Sequence, residues 1–191
     1  MGEVMERSRH RVTVEDFHKM GEAGIFLEDD RVELIDGEMI DMAPIGSRHA
    51  GVVKHLTNLL AMAAKGKAIV SAQDPLRLGP HSEPEPDLML LVPRDDFYSE
   101  AHPGASDVLL LIEVCDTTAR FDREVKLPLY ARHGVAEVWL INIETRLLER
   151  CRLPQPERGE YAFRESLAVG AIAPAAIPEC RVAIETLFPW A

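Results

Sequence analysis

An α/β fold, with a mixed sheet flanked by helices and preceded by a β-hairpin, is the class this sequence predicts. Three observations carry the prediction. The apolar runs LMLLV (Leu88–Val92) and VLLLIEV (Val108–Val114) read as strands buried on both faces. Between Ser47 and about Lys65, Val52, Val53, Leu56, Leu59, Leu60 and Ala63 recur at helical spacing. Strand-like and helix-like segments are interspersed along 191 residues, a length that suits one domain. Residues 1–191 are therefore expected to form a single domain, with 1–12 as a flexible lead.

Each element has its own signal. Thr13 is placed to cap a helix running to about Glu22, with Asp16 three residues later in a capping-box pattern and Gly24 near the stop. In RVELIDGEMIDMA, Val32, Leu34 and Met39 or Ile40 flank an Asp36-Gly37 pair, a strong hairpin signal. Ser47 is the expected N-cap of the long helix, and Gly66 its stop. Ala68–Ala72 reads as a short strand, and the Pro-rich GPHSEPEPD leads into Leu88–Val92. A loop over Pro93–Ser106 precedes the strand Val108–Val114. A helix is expected over about Asp122–His133, kinked by Pro128 and closed by Gly134. Val135–Asn142 and Arg146–Arg152 suggest a strand hairpin. Tyr161–Arg164 and Arg181–Ile184 read as edge strands, and Leu187–Trp190 as a tail on the surface.

Composition narrows the function classes. Hydrophobic residues make up 47% and charged residues 28%, which excludes extensive disorder. The net charge of −11 excludes a basic coat that binds nucleic acid passively. Cys115, Cys151 and Cys180 are widely spaced with no C-x-x-C, which argues against a zinc ribbon or a disulfide scaffold and for reduced thiols. MGEVMERSRHR is too charged for a signal peptide, and the apolar runs are too short to span a bilayer. A cytoplasmic protein without a membrane partner is expected.

Glu113 is the most informative residue. It sits among apolar neighbours in a strand that reads as buried, where an unpaired carboxylate is strongly unfavourable. It must be paired, protonated or metal-bound. Asp87 opens the preceding strand, and the intervening segment leaves room for a loop and an adjacent strand, which brings both carboxylates to one sheet edge. Two close carboxylates call for a cation, and hard oxygen ligands favour Mg²⁺ or Mn²⁺. Lys126, in the next helix, reads by itself as a solvated lysine; beside a metal and a phosphate it could orient a water or offset charge.

The ordered set ELIDGE (Glu33–Glu38), His49, Pro86-Asp87, Ile112-Glu113-Val114, Asp122, Lys126, Tyr130, Gly134 and Glu137-Val138-Trp139 resembles the Uma-two family. That family is regarded as a group of endonucleases in the PD-(D/E)XK, or restriction-endonuclease-like, superfamily. The resemblance spans roughly residues 13–190. It implies a nuclease core with Asp87 and Glu113 as metal ligands. The superfamily pattern has a lysine two residues after the second acid, where this chain has Cys115; in the family a lysine of the next helix takes that place, here Lys126.

Glu33 and His49 are further candidates as metal ligands, directly or through water; their plain alternatives are the polar side of a hairpin strand and a surface histidine. Met42–Gln73 holds no acidic residue but holds Arg48, Lys54, Lys65 and Lys67. It reads either as chance clustering or as a phosphate-facing helix. Arg120, Arg123 and Arg132 extend the theme. His81, Glu83, Glu85 and Asp87 alternate in sequence and could form a cage in an extended chain, or be mostly solvated. The resulting expectation is a metal-dependent phosphodiester hydrolase acting on nucleic acid, DNA by analogy, with a homodimer as the simplest assembly; Leu187, Phe188 and Trp190 could serve its interface or pack on the chain's own core. The competing expectation is an inactive module of the same fold that binds nucleic acid or a protein partner.

Overall fold

The computed structural model describes residues 9–27, 29–115 and 119–188, which fall into two compact units. The first takes in the described residues up to Ala43 together with Leu78–Pro84. Its helix α1 (Val14–Glu22) begins as the sequence predicts: Thr13 Oγ1 accepts the Asp16 N–H at 3.1 Å and donates to Asp16 Oδ2 at 2.8 Å. Strands β1 (Val32–Ile35) and β2 (Glu38–Asp41) form the expected antiparallel hairpin. Asp36 and Gly37 take φ values of 50° and 82°, the left-handed pair that a tight two-residue hairpin turn requires. A Cβ on Gly37 would also lie 2.6 Å from Arg11 Cβ, so only glycine fits there. Residues 9–12 lie against this turn, with Val12 N–H donating to Gly37 O and Arg11 Nε to Asp36 O.

The second unit holds Pro44–Arg77 and the described residues from Glu85 onward. Helix α2 (Ser47–Ala64) starts one residue earlier than its expected cap allows: Gly46 is the N-cap and Ser47 the first helical residue. Gly46 already has the extended backbone that a cap needs, so no side-chain oxygen is used. Six strands follow in one sheet: β3 (Ile69–Ser71), β4 (Leu88–Leu91), β5 (Val108–Cys115), β6 (Glu137–Asn142), β7 (Leu147–Gln155) and β8 (Glu160–Leu167), in that spatial order. All neighbours are antiparallel except β5 and β6. A parallel pair needs a crossover, and a helical stretch supplies it: α3 (Ala119–Phe121), a π-helical segment (Asp122–Lys126) and α4 (Leu127–Arg132). A short pair, β9 (Ala171–Ile172) and β10 (Val182–Ala183), is added by the C-terminal part; β9 carried no sequence signal.

α2 buries Val52, Val53, Leu56, Leu60 and Ala64 in one core with Leu88 and Leu90 of β4 and Leu110, Ile112 and Val114 of β5. Leu187 and Phe188 belong to this same core, which decides for packing on the chain's own core and against an interface through these two residues. The ordinary hydrophobic gain from burying two large apolar side chains outweighs leaving them exposed. Trp190 lies outside the described residues. Among the described residues, no helix is long and apolar enough to cross a membrane.

Candidate active site

Strand periodicity decides where Glu113 points. Leu110, Ile112 and Val114 face the α2 core, so Glu113, in alternation, faces the other side of the sheet. The crossover helix packs there. Lys126 and Tyr130, one turn apart on its same side, both meet Glu113. Lys126 Nζ is 3.4 Å from Glu113 Oε1, and the Tyr130 hydroxyl donates to that oxygen at 2.5 Å. Glu113 is 2% exposed and Lys126 5%.

Pro128 disturbs this helix, as the sequence predicts, through the turn before it. It lacks the N–H that would bond Glu124 O, and its ring crowds that carbonyl. The preceding turn widens instead, with Leu127 N–H reaching back five residues to Asp122 O. Lys126 is the last residue of the widened turn. The helix also starts earlier than expected, at Ala119.

Asp87 completes the cluster. Its backbone N–H donates to Glu113 Oε2 at 3.3 Å. Its Oδ2 accepts the Val114 N–H at 2.8 Å and lies 3.1 Å from His49 Nε2. His49, in the first turn of α2, thus donates to the Asp87 carboxylate. Burial pushes the Glu113 carboxyl up to about 8; Lys126 and the Tyr130 hydroxyl act against this, while Asp87 and Asp122 add to it. Cys115, where the superfamily pattern has a lysine, is a buried thiol bonded to the Asp122 carboxylate, and burial raises its pKa well above that of a free thiol. It supplies no cation.

The donors fit a small hard cation. Asp87 Oδ1 accepts no hydrogen bond among the described residues, and Glu113 Oε2 holds only the long bond from Asp87 N–H. Mg²⁺ is commonly held by one or two carboxylates and completes its shell with water and phosphate oxygens. Among the described residues, no three His, Cys, Asp or Glu side chains gather as a set that could hold a metal.

Glu33 is buried on β1 of the first unit. In that unit Glu83 Oε1 lies 2.5 Å from His18 Nε2, and the His81 ring donates to Val12 O, so neither faces an empty cage. Arg48 reaches Ile143 O at 3.4 Å, Lys54 is exposed in mid-helix, and Lys67 pairs with Glu179. Arg123 is committed to Glu149 at 2.5 Å. Asp122 and Tyr130 are the members of the cluster to which sequence reasoning gave no role. Their signal was the spacing of four residues on either side of Lys126.

No curated protein matches the chain. A solved structure described as "a putative nuclease belonging to DUF820 from Anabaena variabilis ATCC 29413" superposes with a TM-score of 0.70 at 17% identity, covering 94% of this chain and 98% of that one. At that identity the likeness speaks for the fold, a nuclease-type mixed sheet. The profile of the Uma2 family, described as "Putative restriction endonuclease", matches residues 14–185. The chain belongs to the Uma2 family.

Proposed function

We propose that this protein is a Mg²⁺- or Mn²⁺-dependent endonuclease that hydrolyses phosphodiester bonds in DNA. The observation that carries the reading is the meeting of three residues from separate elements: Asp87 before β4, whose backbone N–H reaches Glu113, Glu113 in β5, and Lys126 in the crossover helix. Family membership and the nuclease-type fold support it.

Asp87 and Glu113 would hold the cation, which, when bound, would polarise the scissile phosphate and acidify a water. Glu113 must be ionised to serve, and the Lys126 ammonium favours that form. The same ammonium places a fixed positive charge where negative charge builds up on the phosphoryl oxygens. His49 and the Val114 N–H hold Asp87 Oδ2 and so orient the carboxylate. Lys54, exposed in an acid-free stretch, is available to a DNA phosphate, and Arg48 lies six residues before it on the same helix; Arg123 would have to exchange Glu149 for one. Cutting both strands of a duplex with one such site per chain is simplest in a two-fold homodimer.

The test is incubation of supercoiled plasmid with Mg²⁺ or Mn²⁺. Nicking or linearisation by the wild type, absent in Asp87→Ala, is the expected result. DNA binding without cleavage under either metal would instead favour the inactive-module reading, to which the missing strand lysine at Cys115 lends support.

A further inference from the structure

We infer that Tyr130 is a positioning residue for the metal, fixing the Glu113 carboxylate so that Oε1 is held by protein donors and Oε2 is turned toward Asp87. The inference rests on Asp87 and Glu113 being the metal pair.

A buried tyrosine hydroxyl needs a partner, and a backbone carbonyl is the simple solution. Tyr161 takes it, donating to Val135 O at 2.8 Å. Tyr130, fully buried, instead donates to a carboxylate that already has Lys126 beside it. A salt bridge alone would account for Lys126 and leaves the hydroxyl unexplained. The distribution over the two oxygens explains it. Tyr130 and Lys126 both converge on Oε1, while Oε2 has only the 3.3 Å contact from Asp87 N–H. That distance is at the long end for an N–H···O bond, and such a contact yields readily. The same division recurs on Asp87, whose Oδ2 is held by Val114 N–H and His49 while Oδ1 is presented. Each carboxylate therefore has one anchored and one offered oxygen. Lysine's flexible stem cannot set a carboxylate's rotation as a rigid, packed phenol can. Tyr130 is thus the element that gives Glu113 a defined direction.

Geometry-sensitive metals read this out. Mg²⁺ demands near-ideal octahedral ligands, whereas Ca²⁺ accepts a flexible shell. Calorimetry on wild type and Tyr130→Phe should show Mg²⁺ and Mn²⁺ affinity falling about ten- to a hundredfold, the usual cost of losing such an outer partner. Ca²⁺ affinity should fall less, and the melting temperature of the metal-free chain should stay close to wild type. Equal affinities in the two chains would overturn the inference. So would an equal loss for Mg²⁺ and Ca²⁺, which would mark a general charge effect, or a Tyr130→Phe chain that does not fold, which would make the hydroxyl a fold determinant. A wild type that binds none of these ions would remove the metal pair itself, and this inference with it.

Discussion

The backbone N–H of Asp87 donates to Glu113 Oε2 across 3.3 Å, although the two residues are 26 positions apart. The contact follows from register. Leu88 of β4 pairs with Ile112 of β5, so the residue before Leu88 falls beside the residue after Ile112. Antiparallel pairing thus places the end of one strand and the interior of the next at one point.

Metal binding should depend on both acids and on pH. Asp87→Ala should abolish calorimetric Mn²⁺ binding, and His49→Ala should weaken it about tenfold through the loss of orientation at Asp87. Because the cation needs the ionised form of Glu113, affinity should rise as pH increases through about 8. An affinity independent of pH across that range would remove Glu113 from the ligand set.

Stability of the metal-free chain should run the other way. Glu113 is raised from 4.5 to about 8 in the folded state, so the folded chain keeps a proton that the unfolded chain releases. The stability that this proton supports is complete below about 4.5 and is lost as pH rises through about 8. Urea midpoints should therefore fall across that interval. Glu113→Gln, which keeps the shape without the charge, should flatten the decline.

Lys126→Met should reduce metal-dependent cleavage by at least about a hundredfold, on the scale of losing one transition-state donor. Its metal binding, measured above the Glu113 titration, should remain. Cys115→Ser should leave cleavage close to wild type, since the thiol meets only Asp122 within the cluster and carries no charge there. Cleavage surviving in Lys126→Met would show that another residue supplies the cation.

Glu137 tests a purely structural carboxylate. It is 2% exposed and accepts from Trp139 Nε1, Arg150 Nε and Ala175 N–H, each at 2.8 Å. Glu137→Ala leaves Arg150, a largely buried cation, with only the longer contacts to Glu165 and Ala173 O among the described residues, and should cost about 3 kcal/mol by chemical denaturation. Metal affinity of the fraction that stays folded should not change.

Local chemistry was enough for several elements of this protein. Thr13 with Asp16, and Asp36 with Gly37, act through neighbours only a few residues away, so cap and turn were legible as sequence. The run around Glu113 announced a buried strand because burial on both faces leaves an unbroken apolar pattern, and it marked a carboxylate that needed a partner. What that partner was depended on packing across long separations. Lys126 reads as an ordinary helix lysine until the parallel β5–β6 pair forces the crossover helix back over Glu113. Tyr130 reads as core until its hydroxyl is seen to end on a carboxylate. Leu187 and Phe188 left interface and core open as sequence because their burial is supplied by α2 and the sheet, distant in the chain. Sequence determined which groups needed compensation, since burial and charge are properties of residues and their neighbours. Tertiary structure decided which groups compensate them, since hydrogen bonds and ion pairs act only over a few ångströms and the fold alone sets those distances.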